Sequence, residues 1–89
     1  MKGFMYLNVV TSINQTGLML PCEIHWPDGR KFHIEKVIKW RKATQYNDNT
    51  TCYTVIIRGQ EKKIYFQMSH PNLISPITIG RWFVEMETE

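Results

Sequence analysis

Three histidines and two cysteines are the side chains of this sequence best suited to bind a metal or to act as nucleophiles: Cys22, His25, His33, Cys52 and His70. A tetrahedral metal site needs converging ligands, and thiol catalysis needs a thiolate beside a base in an electropositive pocket. The spacing completes neither arrangement, and each cysteine lies in an apolar–polar alternation typical of a strand. The sequence therefore predicts no metal, no cofactor and no enzymatic activity.

A basic stretch between positions 30 and 42 indicates a binding function instead. It holds six of the eleven lysines and arginines, with Phe32 and Trp40 interleaved among them. Small β-domains bind single-stranded nucleic acids through aromatic rings that stack on bases, beside basic side chains that contact phosphates. The predicted nucleic-acid-binding residues are Lys39, Trp40, Arg41, Arg58 and Lys63. The competing interpretation places Phe32 in the core and treats the charges as a solvated exterior.

A second candidate surface is the apolar segment at residues 69–79, which contains two prolines. So much apolar character in a connection either folds back as a lid over an open end of the fold or meets a protein partner or a second copy of the chain. The predicted protein-binding residues are Leu73, Ile74, Ile77, Arg81 and Trp82. A non-enzymatic module that contacts a protein partner, or itself as a homodimer, is thus the leading hypothesis, with single-stranded nucleic-acid binding as the alternative.

A β-hairpin is the clearest element that positions these residues. Apolar and polar residues alternate on both sides of the turn at residues 27–29, which has the composition Pro-Asp-Gly. The predicted cross-strand pairs are Trp26 with Arg30, Ile24 with Phe32, Glu23 with His33, and Cys22 with Ile34. One face of this hairpin is expected to be core and the other to be in water, where His33 and Glu23 would form an exposed ion pair.

The alternation slips by one residue at Glu35 and Lys36, which predicts a β-bulge and a bend. Beyond the bend, Ile38 and Trp40 are expected to point away from the face of Val37. Residues 35–45 also fit a short helical stripe and lack glycine and proline, so strand and helix both stay open there.

Together with the strand that follows the turn at residues 27–29, five alternating runs make a set of about six strands. They lie at residues 2–10, 18–26, 52–58, 63–68 and 79–87, with 59–62 as the turn of a second hairpin and Pro21 marking an edge or a bulge. Short strands at regular spacing predict an all-β fold, a small antiparallel barrel or sandwich that is SH3-like. An OB-fold fits only if residues 35–45 are helical. A chain of 89 residues forms one domain, at 1–89.

Composition and charge agree with a folded chain that has a mildly basic surface. Hydrophobic residues make up 43% of the sequence, enough to drive folding. The net charge of +3 favours an anionic partner only weakly. Asn8 interrupts the first apolar run, which is therefore expected to be a strand and not a signal peptide, and no run approaches the roughly 20 apolar residues of a membrane span. We expect a cytoplasmic protein with reduced thiols and no membrane contact.

The chain resembles a family of small uncharacterised proteins of Gram-positive bacteria, a domain of unknown function. The resemblance lies in Ile24-x-Trp-Pro-Asp-Gly-Arg-x-Phe-x-Ile34, Val37 and Arg41, Tyr53-x-Val-x-Ile57 with Gly59, and Arg81-Trp-Phe-Val-Glu85. It covers about two thirds of the chain and implies a small intracellular β-domain, without supplying catalytic residues. The apolar segment at 69–79 departs from the family pattern as a longer insertion.

Overall fold

The computed structural model describes residues 2–46, 49–68 and 80–87, and over these ranges the chain is all-β. The strands are β1 (Lys2–Ile13), β2 (Met19–His25), β3 (Lys31–His33), β4 (Lys36–Lys42), β5 (Thr50–Ile57), β6 (Gln60–Met68) and β7 (Gly80–Glu87). All neighbours pair antiparallel, in the order β3-β2-β1-β7-β6-β5-β4. The predicted all-β class is confirmed. Seven strands replace the expected six because residues 31–42 form two of them.

The sheet curls into a half-barrel, and two consecutive residues show why. The backbone N–H of Ile34 donates to the carbonyl of Cys22 on β2, and the N–H of Glu35 donates to the carbonyl of Ile56 on β5, both at 2.9 Å. In the strand order β2 and β5 are four spacings apart, about 19 Å in a flat sheet. Adjacent residues are only about 3.8 Å apart, so the sheet must curl for both bonds to form.

A side chain reinforces the curl from inside. The hydroxyl of Tyr53 on β5 donates to the carbonyl of Met19 on β2 at 3.1 Å, although the two residues lie on strands that do not pair. Tyr53 is buried, with 5% of its surface exposed. The hydrogen bond therefore spans the interior of the half-barrel.

The first hairpin has the predicted register. Ile24 pairs with Phe32 and Glu23 with His33, and the N–H of Trp26 donates to the carbonyl of Arg30 at 2.8 Å. Gly29 takes the positive φ of 96° that closes this turn. Pro21 lies beside a register shift in the pairing of β1 with β2, as its inability to donate to a ladder predicts.

The stretch after the bend is a strand and not a helix, since β4 covers Lys36–Lys42. Its bulge lies at Ile38, between the pairs Val37 with Val55 and Lys39 with Thr54. Because Ile38 is the extra residue, Trp40 pairs with Tyr53 and shares the face of Val37. The prediction that Trp40 points away from Val37 was therefore wrong.

The second hairpin has a tighter turn than predicted. Ile57 pairs with Gln60, so Arg58 and Gly59 alone connect β5 to β6, and β6 begins three residues earlier than expected. Their φ values of 52° and 74° are the left-handed pair that a two-residue hairpin turn requires.

Two clusters of buried residues lie on opposite faces of the sheet. The inner face carries the main core, formed by Leu7, Ile24, Ile34, Tyr53, Val55, Ile64, Phe66 and Trp82. The outer face carries a smaller cluster of Ala43, Cys52, Tyr65 and Phe83, against which Tyr46 packs. The sheet is therefore partly covered on its outer face as well as filled inside.

Tyr53→Phe tests the hydrogen bond that spans the interior. We expect a loss of about 1 kcal/mol in the free energy of unfolding, because the Met19 carbonyl loses its donor while the ring stays packed. Urea denaturation measures the loss, with Tyr6→Phe as the control, since the Tyr6 ring is 45% exposed. An equal loss of unfolding free energy in both variants would show that the hydrogen bond from Tyr53 to Met19 does not stabilise the fold.

Candidate functional site

Three of the five residues predicted to bind nucleic acid lie together on the outer face. Lys39 and Lys63 both pair with Thr54, one on each side, and Arg41 pairs with Cys52. All three basic side chains are exposed, whereas Thr54 between them is buried. The register therefore sets Lys39 and Lys63 two strands apart on one surface.

The other two predicted residues lie elsewhere. Trp40 is on the inner side of β4, at the edge of the sheet, with 48% of its surface exposed. Arg58 is in the turn between β5 and β6, with its guanidinium 5.0 Å from the centre of the Phe32 ring. Neither belongs to the outer-face group.

The predicted protein-binding set falls mainly outside the described residues, because Leu73, Ile74 and Ile77 lie in the segment 69–79. Of the two members that are described, Arg81 is exposed. Trp82 is 6% exposed and packs in the main core. Arg81 is thus the only described member with a side chain open to a partner.

Sequence reasoning missed two exposed aromatic residues on the outer face, Phe4 and Tyr6 of β1, which are 53% and 45% exposed. Both rings contact Phe83, with centroids 5.1 Å and 5.9 Å away, and the Arg81 guanidinium lies 4.1 Å from the Tyr6 ring centre. The alternation of Phe4 and Tyr6 with the apolar Met5 and Leu7 was the available signal. It shows aromatic residues on the face expected to be polar.

Tyr6 and Phe83 belong to a row of paired residues that crosses five strands. Its members, paired each to the next, are Arg41, Cys52, Tyr65, Phe83 and Tyr6. Tyr65 and Phe83 are stacked, with centroids 5.1 Å apart and an interplanar angle of 11°. The row has exposed ends, basic at Arg41 and aromatic at Tyr6, joined by a buried centre.

A carboxylate organises the centre of this face. Glu85 accepts hydrogen bonds from the hydroxyls of Tyr46 and Tyr65, the latter at 2.8 Å. Burial, followed by the hydrogen bond to Glu85, raises the pKa of Tyr46 to about 12. The same two causes raise the pKa of Tyr65. Both phenols therefore stay neutral donors at physiological pH.

An open pocket of about 520 Å³ adjoins the Tyr6 end of the row. Three of its lining side chains, His25, Lys31 and Arg81, can carry positive charge. His25 also contacts Glu23, with Nε2 2.6 Å from the carboxylate. Glu23 therefore bonds to a residue of its own strand, and the predicted ion pair between Glu23 and His33 was wrong. The pocket is suited to an anionic group such as a phosphate.

The cysteines and histidines do not form a shared site among the described residues. Cys52 is buried in the outer cluster, and the Cys22 thiol lies 3.4 Å from the Ser12 hydroxyl. No group of three or more His, Cys, Asp or Glu side chains is placed to hold a metal ion in residues 2–46, 49–68 and 80–87. His70 lies outside these ranges.

A helix of the length and apolarity needed to cross a membrane does not occur in the described parts of the chain. Comparison with protein-family models, with curated proteins and with solved structures found no match.

Tyr46→Phe tests the role of the buried phenols. The pKa of Tyr46 is about 12 in the folded protein against an ordinary value of 10.0, so unfolding releases its proton at lower pH. The corresponding stability is fully present below pH 10 and is lost as the pH rises through 12. We expect urea denaturation to show a steeper fall of stability over this range in the wild type than in Tyr46→Phe. If stability fell equally steeply with pH in both proteins, a raised pKa of Tyr46 in the folded state would be contradicted.

Proposed function

We propose that the protein is a non-enzymatic binding module that takes single-stranded nucleic acid on the outer face of its sheet. The observation that carries the proposal is the juxtaposition on one face of the exposed Phe4 and Tyr6 rings with Arg81, Lys63 and further basic residues. Sheet-based modules recognise single strands with this combination of stacking platform and positive surface.

The aromatic part supports base stacking. Phe83 lies behind Phe4 and Tyr6 and fixes their positions through ring contacts at 5.1 Å and 5.9 Å. Rings held in this way lose little conformational entropy when a base stacks on them. Arg81 above Tyr6 adds a cation that can stack on a base or contact a phosphate.

The charges on this face favour a polyanion. The basic residues that the register places there are Lys31, Lys36, Lys39, Arg41, Lys63 and Arg81. The described acids of the same face are Glu23, Glu61 and Glu85. Glu23 is engaged by His25, and Glu85 by two tyrosines. The excess positive charge is therefore available to phosphates.

Binding to a protein is the second candidate, favoured by the edge of the sheet. β4 pairs with β5 and has no second neighbour among the described strands, and Ile38 and Trp40 beside that edge are 43% and 48% exposed. Such an edge can accept an extended segment of another chain. Because β4 carries Lys36, Lys39, Arg41 and Lys42, we favour an acidic partner segment over a homodimer. The contribution of Leu73, Ile74 and Ile77 to a protein contact stays a prediction.

Three broader predictions belong to this proposal. The short antiparallel strands of the half-barrel and its bulged, bent edge strand support an SH3-like fold. A cytoplasmic location is supported by the free thiols of Cys22 and Cys52. The sequence strings around Trp26, Tyr53 and Trp82 support membership of the family of small Gram-positive proteins.

Alanine substitutions of Phe4 and Tyr6 test the nucleic-acid proposal. We expect the wild type to bind a fluorescein-labelled single-stranded oligonucleotide at low salt, with an affinity that falls steeply as salt is added. Each substitution should weaken binding by about 1 to 3 kcal/mol, because each removes a stacking ring. Fluorescence anisotropy measures the affinity, and circular dichroism checks that the variants fold.

Ile13→Ala is the matched control, since Ile13 is also an exposed apolar residue of β1, at 71%, but lies at the far end of the strand. Tyr6→Phe should keep most of the affinity, because it retains the ring. The absence of oligonucleotide binding at low salt, or an equal effect of Ile13→Ala, would refute the proposal.

Sedimentation velocity tests the homodimer against an acidic partner. We expect a monomer at low salt, because like charges on two β4 strands repel one another. A dimer that Trp40→Lys dissociates would reverse this preference and make the β4 edge a self-association surface.

A further inference from the structure

We propose a second ligand site on the inner side of the half-barrel, a cleft that takes a small amphiphilic monoanion such as an aliphatic or aromatic carboxylate. The cleft lies between the β2–β3 hairpin and the β5–β6 hairpin and has a volume of about 710 Å³. Ligand sites for small molecules have volumes of about 300 to 1,000 Å³ and occur at the mouths of β-barrels. The site goes beyond nucleic-acid binding, which uses the opposite face.

The base of the cleft is apolar and continuous with the main core. Ile24 and Ile64, 3% and 2% exposed, lie at the bottom, and Trp26 and Phe32 form a wall with ring centroids 6.1 Å apart in an edge-to-face arrangement. Ile57, among others, is only half-buried there. An apolar ligand would remove this remaining surface from water, which is the main source of affinity in such sites.

Arg58 supplies the polar end of the cleft, from an unfavourable backbone conformation. Its φ is 52°, the left-handed region that asparagine and glycine adopt more easily than arginine. The N–H of the neighbouring Gly59 donates to the Glu35 carboxylate at 3.1 Å, which holds the turn in place. Asparagine or glycine would fit the backbone of this turn better, so what arginine adds here is its side chain. That side chain lines the cleft and lies 5.0 Å from the centre of the Phe32 ring.

The charge at the rim selects the ligand class. Two basic residues that line the cleft, Arg58 and Lys62, lie in the turn and on the inner side of β6, whereas Lys63, Glu61 and Glu85 border the cleft from strands whose register places their side chains on the outer face. Glu85 accepts hydrogen bonds from Tyr46 and Tyr65. The positive charges of Arg58 and Lys62 favour an anionic ligand in the cleft. A carboxylate matches the planar fork of Arg58 while its apolar tail occupies the base.

Decanoate and its neutral analogue decanol are the probes for this site. We expect decanoate, below its micelle concentration, to shift the backbone amide NMR signals of Ile57, Ile64 and Val84 in the isotope-labelled full chain. Arg58→Asn should raise the Kd for decanoate about tenfold, the effect of losing one charge-assisted contact. The same variant should not lower the thermal midpoint, because asparagine relieves the backbone conformation.

Matched variants distinguish the effect of basic residues at the cleft from the effect of the protein's net positive charge. Lys62→Gln should also weaken decanoate binding, whereas Arg41→Asn, on the outer face, should leave it unchanged. Absence of shifts at these amides, equal binding of decanol and decanoate, or wild-type affinity in both Arg58→Asn and Lys62→Gln would overturn the proposal.

Discussion

The fold depends on one step of the backbone, from Ile34 to Glu35, whose two amides bond to strands on opposite sides of the sheet. No flat arrangement of seven strands satisfies both bonds, because β2 and β5 are then too far apart. Curling the sheet satisfies both donors. It also brings Tyr53 within reach of the Met19 carbonyl and encloses the apolar inner face. Closure and core burial are thus two results of the same constraint.

The curl gives the two faces of the sheet different roles. The concave inner face holds most of the buried apolar residues, and what is left open at one end forms an apolar cleft edged by Arg58. The outer face has too little covering to bury all of its aromatic residues, since Tyr46 reaches Phe83 and Tyr65 while Phe4 and Tyr6 stay exposed. An exposed aromatic patch of this kind is typical of a binding surface. Both proposed sites therefore arise from incomplete coverage of a small sheet.

Sequence reasoning was most reliable where contacts are local. The register of the hairpin around residues 27–29 was predicted in full, because a short turn fixes which residues face each other. The predictions from sequence were wrong for the direction of Trp40 and for the length of the second hairpin's turn. A one-residue bulge reverses every later side chain, and Arg58 in a left-handed conformation is not a usual turn signal. In the candidate site, the basic residues were found by their density and the aromatic ones were missed, since Phe4 and Tyr6 resemble core residues of a strand.

The amino-acid sequence by itself determined the all-β class, the first hairpin and the basic character of the surface, because alternation, turn composition and net charge act over short distances along the chain. Only the tertiary structure decided that β1 lies between β2 and β7, and that Arg81 lies over Tyr6 while Trp82 is buried. The neighbours of a strand in a sheet are set by long-range packing and by the closure at Ile34 and Glu35. No local pattern encodes these contacts.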